Sequence, residues 1–290
     1  MRKPGVIEVT AHAKVNLALA VGPPIEAGDR AGLHPICSWM HAIELGDAVR
    51  VERLAGDAPT TLDVRWADGS GVDWAMKDDL AARAHRALEA HAGRALPVSI
   101  RVLKRVPAGG GLGGGSADAA AVLLACDELF ELNLSDDTLR RVSAAIGSDV
   151  AFFIDGDAFA QRRPPRPAVV SGLGDRIERI DRHGDEIALI LPTFGCPTGA
   201  VYQAFDENPT AGVDEARVRA LAAGDSIGWD QLFNDLARAA CVVRPELSNV
   251  LDVPGVRLSG SGSTAFAPAH ALHAVRRALP GIRIETTRLA

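Results

Sequence analysis

The sequence predicts a two-domain α+β protein, and three observations lead to that fold class. The chain has 290 residues, which is long for one mid-sized domain. Near its middle, a strand pattern, a glycine-dense segment and an apolar helix pattern follow one another. Its second half runs strand, helices, two strands, helix and strand, which is typical of a ferredoxin-like split βαβ domain. We place an α/β domain at 1–160 and the ferredoxin-like domain at 161–290.

The first domain begins with a strand and a helix. Over residues 6–21, Val and Leu alternate with other residues, which predicts a strand that carries Lys14 and Asn16 on one face. Residues 78–92 predict a helix, because acidic residues stand in the first turn and Gly93 follows its end.

The glycine-dense segment is flanked by regular elements. Residues 98–105 alternate like a strand before it, and residues 116–129 form an Ala- and Leu-rich helix pattern after it. Ser135 is placed to cap a further helix that ends near Gly147. The proline-rich residues 161–167 predict a connector, since proline cannot continue a helix or a central strand.

The second domain has its own series of patterns. In chain order they predict a strand at 187–191, helices at 213–223 and 229–242, a strand at 256–258, a turn at 259–263, a strand ending at Ala267, a helix at 269–279 and a strand at 282–287.

Composition bounds the class of protein. Apolar residues make up 47% of the chain and charged residues 23%, which is typical of a soluble globular protein. The net charge of -6 opposes nonspecific binding to nucleic acid or anionic lipid. Four dispersed cysteines suggest neither a disulfide framework nor a zinc site. No uninterrupted apolar run approaches about 18 residues, and the N-terminus has no apolar signal-like region. We therefore expect a cytoplasmic protein with no nucleic-acid or membrane partner.

The sharpest motif is the glycine-dense segment, which has six glycines among residues 109–115. Glycine lets successive N–H groups point at one anion, and the N-terminus of the following helix adds partial positive charge. We therefore predict a phosphate cradle. Its candidate residues are Pro107, Ala108, Gly109, Gly110, Gly111, Leu112, Gly113, Gly114, Gly115, Ser116 and Ala117.

Two familiar phosphate motifs fit this segment poorly. A P-loop needs a lysine before its Ser or Thr, but Gly115 precedes Ser116. A literal GxGxxG is present, yet the region about 20 residues later is helix and cap instead of a strand ending in an acid. A dinucleotide-dependent oxidoreductase and a non-catalytic nucleotide-binding module remain as alternatives.

Three segments resemble, in order and spacing, the motifs of the galactokinase, homoserine kinase, mevalonate kinase and phosphomevalonate kinase (GHMP) superfamily. They read AHAKVNLAL at 11–19, RVPAGGGLGGGSADAAA at 105–121 and RLSGSGSTAFA at 257–267. Within that superfamily, GSDVAFF, SGLGD and CPTGAVYQAFD are most similar to the kinases of 4-diphosphocytidyl-2-C-methyl-D-erythritol in non-mevalonate isoprenoid synthesis. Homoserine or mevalonate kinase is the nearest alternative.

The resemblance implies a two-domain small-molecule kinase with its active cleft between the domains. It implies transfer of a phosphoryl group from ATP to the 2-hydroxyl of the methylerythritol, with Lys14 and Asp149 at the transferred group. An aspartate can orient the hydroxyl and accept its proton, and a lysine can stabilise the charge. Asn16 could hydrogen-bond the aspartate or the substrate.

The resemblance also implies how the CDP-linked substrate is bound. His34 keeps a hydrogen-bonding position for cytosine, although Leu33 stands where the family has tyrosine. Tyr202, the one tyrosine of the chain, would stack on the base. In the third motif, backbone N–H groups at Gly260 and Ser261 are predicted to bind a second phosphate.

Three further expectations concern the nucleotide side. Mg²⁺ is required on chemical grounds to neutralise phosphate oxygens, and its protein ligands stay undetermined, with Ser116 as one candidate. Asp79 stands near the expected adenosine pocket. Lys104 is expected to be solvated, as one of several basic residues on its strand.

Overall fold

The structure is a computed structural model that describes residues 5–56 and 58–290. The chain forms two compact units, each assembled from separate stretches. The first unit comprises Met1–Ala13, Leu45–Val106 and Gly113–Pro165, and the second comprises Lys14–Glu44, Pro107–Leu112 and Arg166–Ala290. The division at residue 160 treats each domain as one continuous stretch, and it stays a prediction.

The strands are β1 Val6–Val21, β2 Ile36–Arg53, β3 Thr61–Trp66, β4 Val98–Lys104, β5 Ala168–Gly172, β6 Arg176–Arg179, β7 Glu186–Leu191, β8 Arg257–Leu258, β9 Ala265–Pro268 and β10 Arg283–Arg288. The α-helices are α1 Leu80–Ala92, α2 Gly114–Phe130, α3 Asp136–Ser143, α4 Val150–Phe153, α5 Gly156–Ala160, α6 Thr198–Asp206, α7 Glu215–Ala222, α8 Ala237–Val243, α9 Glu246–Leu251 and α10 Leu272–Ala278. Short 3₁₀ turns occur at Met76–Asp78, Trp229–Gln231 and Ala269–Ala271.

The first unit combines strands with the α1–α2 pair. The C-terminal part of β2 pairs antiparallel with β4, and β4 pairs parallel with β3. Helix α1 packs against α2, which is apolar around its circumference and is buried over most of its length. The side chain of Asp79 caps α1, Gly93 ends it in the left-handed region, and Ser135 caps α3 as predicted.

The second unit contains a four-stranded antiparallel sheet in the order β10-β7-β9-β8. In chain order the strand positions are fourth, first, third and second, which is the ferredoxin-like split βαβ arrangement. The predicted fold class is thereby confirmed. The core beside this sheet includes residues from β7 and from α6, α8 and α9. In the same unit, the N-terminal part of β2 pairs with β5, and β5 pairs with β6.

The predicted helix over 229–242 is wrong in its first half. A 3₁₀ turn ends at Gln231, and α8 begins only at Ala237. The physical reason lies in Asn234 and Asp235, whose side chains make hydrogen bonds outside any helix. Asn234 donates to the carbonyls of residues 258 and 260, and Asp235 accepts from the N–H of residue 21.

Three other boundaries differ from the expected ones. Helix α2 starts at Gly114, two residues early, because the glycine at 113 takes the left-handed conformation and acts as its N-cap. The helix capped by Ser135 ends at Ser143 and not near Gly147. The pattern at 269–279 opens as a 3₁₀ turn before α10.

Candidate active site

The second half of the glycine segment forms the start of α2 in the first unit. No acidic residue stands in the first turn of that helix, and Asp47, whose Oδ2 lies 3.4 Å from the Cβ position of Gly114, is paired with Lys104. A Cβ at Gly114 would lie 2.8 Å from the Val106 side chain, and one at Gly115 would lie 3.3 Å from Leu80. Close packing therefore leaves room for only glycine at 114.

The first half of the segment belongs to the second unit, where its carbonyl groups are taken up by donors. Thr264 N donates to Gly110 O at 3.0 Å, and Lys14 N donates to Leu112 O at 2.9 Å. Gly111 O accepts from Lys14 Nζ at 2.9 Å. These hydrogen bonds fix the peptide planes of residues 110–112, while the N–H groups of the segment stay available for another acceptor.

The N–H groups of the glycine segment are the chemically telling feature. Within residues 5–56 and 58–290, none of the N–H groups of residues 109–116 donates to a protein acceptor. Gly110, Leu112 and Gly114 are buried, and native proteins pair most buried N–H groups, so their lack of acceptors is unusual. Such a row beside a helix N-terminus is suited to bind the oxygens of phosphate groups.

Lys14 and Asn16 lie side by side on β1, on the shared face that the alternation predicts. Lys14 is only 2% exposed, although it is a lysine. Its Nζ donates to Asn16 Oδ1 at 2.5 Å as well as to Gly111 O. A buried ammonium needs such partners, because desolvation would otherwise disfavour its charge.

The third motif folds against the same ammonium in the second unit. Ser259 Oγ accepts from Asn16 N at 3.3 Å and donates to Gly111 O at 3.2 Å. The Cβ position of Gly260 lies 3.3 Å from Lys14 Nζ. The N–H groups of Gly260 and Ser261 have no acceptor in the described part of the chain. The turn therefore brings Gly260 close to Lys14 and leaves two N–H groups for another acceptor.

Asp149 stands in the first unit at the N-terminus of α4. It is half-buried, and its side chain does not cap that helix. Helix α4 packs against α2, and the Cβ position of Gly147 lies 3.9 Å from Ser116 Oγ. The aspartate thus belongs to a segment that adjoins the first turn of α2. A purely capping role, the alternative that local sequence favours, does not account for its side chain.

The two residues predicted to bind cytosine lie together in the second unit. The rings of His34 and Tyr202 have centroids 4.8 Å apart with an interplanar angle of 46°. Phe205 lies at 5.8 Å from the same imidazole. His34 Nδ1 faces Gly22 O at 3.0 Å, and its Nε2 lies 3.3 Å from Asp206 Oδ1. Both ring nitrogens therefore have partners that fix the plane of the imidazole.

Lys104 is not solvated, contrary to the expectation from its basic neighbours. It is 3% exposed and donates to the carboxylates of Asp47 and Asp118, the latter at 2.5 Å. Asp47 also accepts from the N–H groups of Arg105 and Val106, directly before the glycine segment. The Asp47 carboxylate thus links Lys104, at the end of β4, to the residues that lead into the phosphate cradle.

This buried cluster contains two carboxylates for one cation. Burial raises the pKa of Asp118 to about 8, with the attraction of Lys104 opposing that effect. Among residues 5–56 and 58–290, Asp118 Oδ1 finds no hydrogen-bond partner. Burial alone would lower the pKa of Lys104, but attraction to Asp118 and Asp47 outweighs it and raises that pKa. Burial thus disfavours the charge on Asp118, whereas the two carboxylates favour the charge on Lys104.

Sequence reasoning missed this cluster although a signal was available. Val98, Ile100 and Val102 are the buried positions of β4, and Lys104 continues their two-residue period. A lysine at a buried position requires an acidic partner. Asp118, on the apolar helix α2, is the matching signal, whereas the contribution of Asp47 depends on strand pairing that the pattern does not reveal.

The described residues contain no group of three or more His, Cys, Asp or Glu side chains arranged to hold a metal ion. Among the same residues, no helix is both long enough and apolar enough to cross a membrane. All four cysteines are free thiols.

Comparisons with known proteins agree with this geometry. A family model described as GHMP kinases N terminal domain matches residues 79–157. The 4-diphosphocytidyl-2-C-methyl-D-erythritol kinase of Thermobifida fusca (strain YX) is 38% identical over 94% of this chain and 91% of the relative. The kinase of the same name from Streptomyces coelicolor is 35% identical over 90% of this chain and 87% of the relative.

Solved structures extend the comparison. The crystal structure of a 4-(cytidine 5'-diphospho)-2C-methyl-D-erythritol kinase superposes with a TM-score of 0.71 at 30% identity, covering 98% of this chain and 99% of that one. The mevalonate kinase of Methanococcus jannaschii has a TM-score of 0.63 at 11% identity over the whole of both chains, which shows a shared fold.

The glycine segment opens a helix, and the family model and the relatives match this part of the chain. The chain is therefore a GHMP kinase, an ATP-dependent enzyme. The two relatives are each more than 30% identical over most of this chain and of their own length, which narrows the assignment within the superfamily. The chain belongs to the 4-diphosphocytidyl-2-C-methyl-D-erythritol kinase family.

Proposed function

We propose that this protein transfers the γ-phosphoryl group of ATP to the 2-hydroxyl of 4-diphosphocytidyl-2-C-methyl-D-erythritol. The observation that carries the proposal is the row of N–H groups at residues 109–116, which has no protein acceptor within the described chain. Full-length similarity to kinases named for this substrate supports the choice of acceptor over homoserine or mevalonate.

In this proposal, the cradle of residues 107–117 binds the phosphates of ATP. The tight space at Gly114 and the absence of acidic residues in the first turn of α2 suit a polyanion. Mg²⁺ bound with the nucleotide would neutralise charge on its phosphate oxygens. Ser116 offers a hydroxyl next to the cradle that could serve as a ligand.

Lys14 and Asp149 are the proposed catalytic residues. The Lys14 ammonium, held by Asn16 and Gly111 O, supplies fixed positive charge for the oxygens of the transferred group. The Asp149 carboxylate orients the acceptor hydroxyl and takes its proton as the new P–O bond forms. The bond from the γ-phosphorus to its bridging oxygen breaks, and ADP leaves.

The CDP moiety has its own proposed contacts. Tyr202 presents an aromatic face for stacking on cytosine, and the His34 imidazole lies beside it. A hydrogen bond from His34 to the base edge would replace its contact with Gly22 O or with Asp206. The N–H groups of Gly260 and Ser261 would bind a phosphate of the substrate. Leu33 is 51% exposed at the position where the family has tyrosine. An aliphatic side chain would therefore cover the base on that side in place of an aromatic ring.

A coupled ADP-release assay tests the proposal. The protein is incubated with MgATP and, separately, with the CDP-linked methylerythritol, homoserine or mevalonate. ADP release with only the CDP-linked acceptor, abolished in Asp149→Asn, is the expected result. Turnover with mevalonate or homoserine instead would reassign the acceptor.

Thermal-shift measurements separate the remaining classes. Stabilisation by an ATP analogue but not by NAD is expected. Stabilisation by NAD alone would favour a dinucleotide-dependent oxidoreductase, and ATP binding without any ADP release would favour a non-catalytic module.

A further inference from the structure

A buried chain of hydrogen bonds leads to Lys14 from the neighbouring strand. Ser38, on β2, is fully buried, and Asn16 and Lys14 are each 2% exposed. Ser38 Oγ donates to Ala18 O at 2.9 Å. Asn16 Nδ2 donates to Ser38 Oγ at 2.8 Å, and Lys14 Nζ donates to Asn16 Oδ1 at 2.5 Å.

The direction of this chain is fixed by the backbone. The single hydroxyl proton of Ser38 is committed to Ala18 O, which is a carbonyl and can only accept. Ser38 can therefore offer Asn16 only a lone pair, and the amide must turn its NH₂ group toward Ser38. The amide oxygen is then forced to face Lys14.

We infer that Ser38 is a positioning residue for Lys14, acting through the amide of Asn16, an inference that rests on the proposed role of Lys14. Without the Ser38 acceptor, the amide is free to rotate and present N–H groups to the ammonium, which is repulsive. The ammonium would then lose the hydrogen bond that holds it beside Gly111 O. Fixed placement of a charge matters because electrostatic stabilisation of phosphoryl transfer depends on preorganisation.

Steady-state kinetics with MgATP and the CDP-linked acceptor test this role. Ser38→Ala should lower kcat by about tenfold, the order expected for losing one orienting hydrogen bond, with KM for ATP unchanged. Ser38→Cys keeps the shape but has a weak acceptor, so it should show the same loss in a folded protein. The matched control is Ser171→Ala, a buried serine on β5 that pairs with Cys37 next to Ser38, and it should keep wild-type turnover.

A double-mutant cycle distinguishes positioning from simple packing. In the Asn16→Ala background, Ser38→Ala should have no further effect on kcat, because the hydrogen-bond chain from Ser38 to Lys14 (the Ser38 relay) is already broken. An equal tenfold loss in both backgrounds, or wild-type turnover of Ser38→Cys, would overturn the inference. If Lys14→Ala itself keeps full turnover, the proposed function of Lys14 fails. If Lys14→Ala is inactive while Ser38→Ala is fully active, only the relay fails.

Discussion

Gly111 is the point where the glycine segment touches the turn at 259–263 most closely, and replacing it with alanine should disable the enzyme. Its φ is +76°, a region that costs an alanine roughly 1 to 2 kcal/mol. The added Cβ would lie 2.3 Å from Ser259 O and 3.1 Å from Gly262 N. Since both atoms are backbone, no side chain can rotate away to make room.

The magnitude follows from that distance. Ordinary van der Waals contact begins near 3.4 Å, so the two segments must separate by about 1 Å. Gly111 O would then no longer hold Lys14 Nζ at 2.9 Å. A misplacement of about 1 Å can cost roughly 100-fold in turnover, and the combined strain should remove about 2 to 4 kcal/mol of stability.

Gly109→Ala is the matched control for Gly111→Ala. Its φ of +67° imposes similar backbone strain, but nothing lies within 4 Å of its Cβ position. It should lose about 1 kcal/mol of stability and far less activity. ADP release gives kcat, and urea unfolding gives the free energy of unfolding. Turnover of Gly111→Ala within threefold of Gly109→Ala would refute the steric reasoning.

Three further predictions concern single side chains. Asp149→Asn should lower kcat by roughly 100- to 10,000-fold while ATP affinity measured by calorimetry stays unchanged. Wild-type turnover in this variant would show that the aspartate takes no part in the reaction. Tyr202→Ala should raise KM for the CDP-linked acceptor by about 10- to 100-fold through lost stacking of roughly 1 to 3 kcal/mol, with Tyr202→Phe near wild type, and an equal rise in KM for ATP would contradict the assignment. Because burial raises the pKa of Asp118 from its usual 3.8 to about 8, the folded state keeps a proton that the unfolded chain has lost, and stability falls as pH rises between about 4 and 8. Asp118→Asn should therefore raise Tm more at pH 8 than at pH 5, whereas an equal shift at both pH values would count against a protonated Asp118.

Much of the fold could be predicted from the sequence because several elements carry local signals, such as strand alternation and helix caps. The alternation over β1 gave its exact bounds, and the caps at Ser135 and Gly93 are in place. Strands β2, β3, β5 and β6 were not predicted. β2 is buried on both faces over much of its length, so its pattern does not alternate cleanly between apolar and polar residues.

The site shows the same division between local and distant information. The shared face of Lys14 and Asn16 follows from a strand period of two, and the cradle follows from glycine chemistry. The Ser38 relay and the Asp47 partner of Lys104 depend on which strands pair and in what register. Residues distant in sequence meet there through tertiary packing, which a single sequence does not specify.

The chain contains only four lysines among its 31 basic residues, and two of them, Lys14 and Lys104, are buried in hydrogen-bonded positions. Lys77, in contrast, is exposed. An amine-acylating reagent applied to the folded enzyme should therefore modify Lys77 quickly and spare the two enclosed ammonium groups. The rate at which Lys14 becomes labelled would then report how often this region opens to solvent, and bound substrates should slow it further.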